Sequence, residues 1–84
     1  MAIDLMGMRN LYREGHLTAA FITPADVPNG WLLTCIREDG RHEQMTIAKS
    51  QRIKVYKSLE SVHLDVKRIG FDTVTTEVKS LKVA

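Results

Sequence analysis

The sequence predicts a single α+β domain over residues 1–84, with two helices packed on a small, mostly antiparallel sheet of about five strands, in the order α-β-β-β-β-α-β. Three observations lead to this fold class. A chain of 84 residues has the length of one domain. The segment 52–78 has the pattern of a strand, a capped helix, a glycine stop and a further strand. Upstream of it, apolar runs are separated by turn residues, which favours antiparallel hairpins.

The first predicted helix covers residues 4–14. Asp4 can cap its N-terminus, apolar and aromatic side chains recur at helical spacing, and Gly15 can end it. A strand is predicted at 17–23. Residues 24–30 hold both prolines and an Asn-Gly pair, and because proline cannot donate a backbone hydrogen bond, this stretch is predicted to be a loop.

A hairpin is predicted to join a strand at 31–38 to a returning strand at 41–48. The dipeptide Asp39-Gly40 between them is typical of a two-residue type I′ turn, since that turn needs positive φ at both positions. The register that follows pairs Ile36 with Glu43, Thr34 with Met45 and Leu32 with Ile47.

Both faces of the strand 31–38 carry apolar side chains, with Leu32 on one face and Leu33 on the other. A sheet that is covered on one side only should alternate more cleanly between apolar and polar residues. The pattern therefore indicates either that a helix covers each face or that the uncovered face meets another chain.

A short strand is predicted at 52–56, with Ile53 and Val55 pointing to one side and Arg52, Lys54 and Tyr56 to the other. The second helix follows Ser58, whose hydroxyl can cap it. Its apolar stripe is formed by Leu59, Val62, Val66 and Ile69.

Gly70 supplies the left-handed residue that ends this helix, and a final strand is predicted at 74–78. Residues 79–84 are predicted to fray.

Cysteine usage and the N-terminus indicate a cytoplasmic protein. A disulfide-stapled secreted domain needs paired cysteines, whereas Cys35 is the single cysteine. The first ten residues include the acid Asp4 and no long apolar run, so neither a signal peptide nor a membrane span is expected.

No residue pattern indicates catalysis. The three histidines have neither the mutual spacing nor the additional ligands of a metal site. Cys35 would lie opposite Gln44 in the predicted hairpin, and it is interpreted as a semi-buried strand residue rather than a nucleophile. Glycine-rich phosphate loops and nucleophile-elbow motifs are absent from the sequence. We expect a non-enzymatic protein without a cofactor.

The charge is unevenly distributed. Residues 1–48 carry four arginines and six carboxylates, whereas residues 49–84 carry eight lysines and arginines and four carboxylates. The stretch from Lys49 to Lys57 holds four cations, no acid and one tyrosine. It can grip phosphates and stack a base, although an edge strand rich in lysine also serves to prevent aggregation. The candidate nucleic-acid-binding residues are Lys49, Arg52, Lys54, Tyr56 and Lys57.

The remaining candidates are apolar residues that can lie in a protein interface. Trp31 begins a strand next to the proline-containing loop, where it can pack in the core or anchor an interface. A thin core in a chain this short favours oligomerisation, and we expect a homodimer. The candidate interface residues are Phe21, Trp31, Leu32 and Met45.

Several short motifs together resemble a known group of proteins. They are L-Y-R-E-G-H-L-T-A-A, N-G-W-L-L, the D-G hairpin, V-Y-K-S-L-E-S-V and I-G-F-D-T-V. This arrangement resembles the ParC-like accessory proteins of plasmid partition loci, which lie beside a ParA-type ATPase. The resemblance implies a non-enzymatic, bacterial, cytoplasmic protein of a mobile element, whose partner is a partition protein or DNA. Inhibitors of host defence complexes, such as anti-CRISPR proteins, share the size and the lack of an active site, and this alternative stays open.

Overall fold

A computed structural model describes residues 3–78 of the chain. The predicted fraying of residues 79–84 lies outside the described residues. The elements are α1 (Leu5–Arg13), β1 (Leu17–Pro24), β2 (Trp31–Arg37), β3 (His42–Gln44), α2 (Leu59–Ile69) and β4 (Thr75–Thr76). Within residues 3–78, the sheet has four strands in the order β3-β2-β1-β4, and β4 runs parallel to β1 while the other pairs are antiparallel. The predicted α+β class with two helices is confirmed, but the sheet is mixed and has one strand fewer than predicted.

Local signals in the sequence set the ends of both helices. The Asp4 carboxylate accepts a hydrogen bond of 3.0 Å from the Gly7 amide at the start of α1. Ser58 Oγ accepts one of 3.1 Å from the Ser61 amide at the start of α2. These contacts satisfy amide groups that have no partner within their own helix.

α2 ends at Gly70, and two observations explain why this position needs a glycine. Its φ of 131° lies in a region that L side chains rarely adopt. A Cβ atom at this position would also lie 2.6 Å from the Tyr12 ring of α1. Tyr12 in turn packs edge-to-face on Phe71, with ring centroids 4.7 Å apart. The residue that stops α2 therefore also allows α1 to approach it closely.

The β2–β3 hairpin differs from the prediction by one residue. Arg37 and Arg41 are joined by a backbone hydrogen bond of 2.8 Å, so the loop contains Glu38, Asp39 and Gly40. Gly40 has a φ of 89°, whereas Asp39 is not among the residues with positive φ. A type I′ turn needs both, and the three-residue loop with a single left-handed glycine forms instead.

The corrected register changes which side chains share a face. Cys35 pairs with Glu43, and the Met45 amide donates to the Leu33 carbonyl at 2.9 Å. Leu33, Cys35, Glu43 and Met45 therefore all belong to the same face of the sheet. The predicted pairings of Ile36 with Glu43 and of Thr34 with Met45 are wrong.

The predicted strand 52–56 is reduced to two isolated bridges, Thr46 with Ile53 and Trp31 with Tyr56. The side that carries Tyr56, which was predicted to be available for nucleic acid, faces the core instead. Tyr56 is 3% exposed, whereas Ile53 and Val55 are 38% and 39% exposed. Burial of a tyrosine requires a partner for its hydroxyl, and Asp65 of α2 provides one.

Both helices pack on one face of the sheet, which we call the covered face. Its core combines residues of α1 and α2 with alternate residues of the central strands. Its largest fully buried apolar side chains are Met8, Ile22, Leu33, Met45 and Val62. The helix α2 returns the chain to the far edge of the sheet, where β4 pairs with β1 in parallel.

Candidate functional site

The opposite face of the sheet, which we call the outer face, carries no helix within residues 3–78. Phe21 lies at its centre, between its partners Thr34 on β2 and Thr75 on β4. Leu32 and Ile36 share this face because they alternate with the core residues of β2. All three apolar side chains are half-buried. A groove of about 450 Å³ crosses the face. It is lined by Phe21, Thr23, Thr34, Ile36, His42 and Glu77.

The four predicted interface residues separate into two pairs. Phe21 and Leu32 lie on the outer face, as an interface role requires. Trp31 lies on the covered face and packs against the core. Met45 is fully buried, so its assignment to an interface is wrong, and the physical reason is the one-residue change in hairpin register.

The predicted basic stretch also separates. Lys49, Arg52 and Lys57 are exposed, and no ion pair engages their side chains among residues 3–78. The Lys54 ammonium instead lies 3.0 Å from the Asp65 carboxylate. Tyr56 is buried, which makes its ring unavailable for stacking on a base and corrects that prediction. Three of the five candidate residues thus lie free at the surface.

Asp65 is the centre of a buried polar network that the sequence reading missed. Asp65 is 2% exposed and lies on the core side of α2. Its Oδ2 accepts from the Tyr56 hydroxyl at 2.7 Å and from Lys54 Nζ at 3.0 Å, and its Oδ1 accepts from Arg68 at 3.1 Å. The sequence did indicate this network, because Asp65 follows Val62 by three positions and therefore lies within the apolar stripe of its helix. A carboxylate at such a position needs hydrogen-bonding partners.

The pKa values in this network follow from its contacts. Burial acts to raise the pKa of Asp65, but the hydrogen bonds from Tyr56, Lys54 and Arg68 outweigh it and hold the pKa below its usual value. Burial, together with the Asp65 carboxylate, raises the pKa of the Tyr56 hydroxyl well above its usual value. Asp65 is therefore ionised and Tyr56 neutral at physiological pH, as an acceptor and a donor should be.

Cys35 lies deeper in the protein than the semi-buried position predicted for it. It is fully buried, and its neighbours across the sheet are Ala20 and Glu43 rather than the predicted Gln44. Burial raises the pKa of its thiol to about 12. A thiol in this state is a poor nucleophile because the thiolate is the reactive form.

Among residues 3–78, no group of three or more His, Cys, Asp or Glu side chains is placed to hold a metal ion. No helix in that range has both the length and the apolar character needed to cross a bilayer.

Comparison with known proteins gives no relative for this chain. No protein-family model matches it, and neither the curated proteins nor the solved structures include a significant match. Support for a function therefore comes from the outer face, the exposed cations and the motifs of the sequence.

Proposed function

We propose that this chain is a small, non-enzymatic protein-binding module that forms a homodimer through the outer face and acts in plasmid partition or maintenance in the bacterial cytoplasm. The observation that supports protein binding is the position of both helices on one face, which leaves Phe21, Leu32 and Ile36 half-buried on the other. Plasmid partition is suggested by the sequence resemblance to ParC-like accessory proteins, whose partners include a ParA-type ATPase.

A second copy of the chain suits the outer face for geometric reasons. Two sheets pack face to face at about 10 Å when their inner side chains interdigitate. An aromatic side chain contributes about 150–250 Å² of buried area, and Phe21 lies at the centre of the face between threonines. Stable dimers bury roughly 800 Å² on each partner. Phe21 would therefore be the central contact, with Leu32 and Ile36 beside it.

The dimer is tested by size-exclusion chromatography with light scattering. The chain has a mass of 9.5 kDa, and we expect twice this mass at micromolar concentration. Phe21→Glu should give the monomer, because a charge on a desolvated interface is costly. Leu64→Glu is the matched control, since Leu64 is 48% exposed on α2. A mass of one chain at every concentration would refute the dimer.

The role in partition needs its own experiment. Tagged chain is mixed with a purified ParA-type ATPase of a plasmid partition locus, and we expect the two to co-elute. Phe21→Glu distinguishes binding through the outer face from binding through another surface. Failure to co-elute, with the dimer intact, would refute the partition assignment and leave the binding module standing.

A nucleic-acid-binding accessory role is the second candidate. It is supported by Lys49, Arg52 and Lys57, which are exposed and outside the ion pairs of residues 3–78. If each neutralises one phosphate, the affinity for duplex DNA should fall by roughly 2.7 log units per log unit of salt. Changing all three to glutamine should abolish retention. Salt-independent binding, or no retention by DNA at low salt, would exclude this role.

A further inference from the structure

The segment 52–56 uses only one edge of its backbone for pairing. The Lys54 amide donates to the Met45 carbonyl at 2.9 Å. Tyr56 both donates to and accepts from Trp31, each at 2.8 Å. These bonds attach the segment to the end of the sheet and fix it in an extended path from Ile53 to Tyr56.

The backbone groups of Ile53 and Val55 point to the other edge. Their N–H and C=O groups have no hydrogen-bond partner among residues 3–78. Because pairing groups alternate along an extended chain, these two residues face away from the sheet together. An extended peptide can pair with such an edge by strand addition.

The side chains at this edge form a small apolar surface. Ile53 and Val55 are each more than one third exposed, and Val27 is 44% exposed. Val27 and Val55 both lie within 3.0 Å of the position that a Cβ atom would take at Gly30. Gly30 therefore lets the loop and the segment come together, and the two valines form a continuous aliphatic surface beside the open edge.

The charges around this edge select the kind of occupant. Arg52 and Lys57 flank the open residues and are exposed, with no ion pair among residues 3–78. Lys54 is already paired with Asp65. If a second copy paired antiparallel at this edge, the Arg52 and Lys57 side chains of the two copies would come together and repel. Charge complementarity therefore disfavours self-pairing and favours an acidic partner.

We propose that the edge formed by Ile53 and Val55 binds an extended, acidic polypeptide segment by strand addition. Aliphatic side chains at alternate positions of that segment pack on Ile53 and Val55, and carboxylates at its two ends pair with Arg52 and Lys57. This edge is separate from the outer face, so the proposal goes beyond the homodimer and stands or falls independently of it.

The test is to pan a displayed library of random twelve-residue peptides against the full chain. Enriched peptides should carry aliphatic residues at alternate positions and Asp or Glu at both ends. Val55→Pro removes the outward N–H without removing a backbone hydrogen bond that the fold uses. This variant should bind the best peptide at least about tenfold more weakly than the wild type. In the complex, amide hydrogen exchange at Ile53 and Val55 should slow.

A charge reversal keeps the proposal testable if the proline variant fails to fold. Arg52→Glu with Lys57→Glu should shift enrichment to peptides with basic ends. Arg9→Glu with Arg13→Glu on α1 is the matched control, since both arginines are exposed, and it should keep the acidic preference. Three results would overturn the proposal: no enrichment, enriched peptides that bind the charge-reversed variant equally, or retention of a single-stranded oligonucleotide with no acidic peptide enriched.

Discussion

The covered and outer faces belong to the same two central strands, yet they are filled in different ways. On the covered face, Ile22, Leu33 and Cys35 are at most 1% exposed. On the outer face, Phe21 and Leu32 stay half-buried. The strands are apolar on both sides, so the difference arises from the helices, which bring their apolar stripes to one side only. The covered face supplies stability, and the outer face keeps its apolar side chains partly exposed.

The buried carboxylates follow the same division between the two faces. The buried carboxylates Asp65 and Glu43 both lie on the covered side, each with a cation close to it. A buried carboxylate is tolerated when its charge is paired and its oxygens accept hydrogen bonds. The covered side therefore depends on ion pairs as well as on apolar contact, and these pairs give the largest expected effects of substitution.

Replacing Asp65 should be the most damaging single change. Asp65→Ala leaves the Tyr56 hydroxyl without its acceptor and Lys54 without its counter-ion, because both donate to this carboxylate. An unsatisfied buried hydroxyl costs about 1–3 kcal/mol of unfolding free energy, and each lost hydrogen bond to a charged group costs about 1.5–3 kcal/mol. Lys54, whose side chain is 41% exposed, recovers part of its share by hydration. Urea denaturation followed by circular dichroism measures the loss. Asp72→Ala, at an exposed position, is the control, and equal losses in the two variants would contradict a stabilising network.

The next comparison places one substitution on each face. Met45→Ala removes a fully buried side chain and should lower the unfolding free energy by about 2–5 kcal/mol. Phe21→Ala removes a larger but half-buried side chain from the outer face, and for the monomer we expect a loss of about 1 kcal/mol. Thermal unfolding at low and high protein concentration separates the two effects.

The concentration dependence sharpens this comparison. If the outer face forms the dimer, wild-type stability should rise with concentration, and Phe21→Ala should remove that rise while Met45→Ala keeps it. Equal losses from both substitutions at low concentration would mean that the outer face contributes to the core, and the division between the faces would fail.

Features set by neighbouring residues could be predicted from the sequence. The caps Asp4 and Ser58 and the glycine stop Gly70 act within one helical turn, and the structure has all three where they were predicted. The hairpin was placed correctly, but its register was not. Both a two-residue and a three-residue loop fit Asp39-Gly40, and the choice depends on the φ angle of a single aspartate.

Side-chain environment set by distant contacts could not be predicted. Tyr56 was placed at the surface because alternation assigned it the same side as Arg52 and Lys54. Its burial depends on a hydroxyl contact with Asp65, nine positions along the chain in another element. The exposed cations of the candidate site were predictable because Lys49 and Lys57 need only water as a partner.

The smallest expected effect is the acid sensitivity of the network. The pKa of Asp65 is lower in the folded chain than its usual value, because its hydrogen bonds outweigh the effect of burial. A lowered folded pKa means that the stabilisation is complete above the unfolded pKa of about 3.9 and is lost as pH falls through the folded value.

Asp65→Asn removes this titration while keeping the size of the side chain. Wild-type stability should therefore fall more steeply than that of the variant below about pH 4, measured as urea midpoints from pH 7 to pH 2.5. Acids such as Asp4 and Asp39, whose pKa values are also lowered, are common to both proteins and cancel in the difference. Parallel curves would mean that Asp65 stabilises the covered side through packing and neutral hydrogen bonds rather than through its charge.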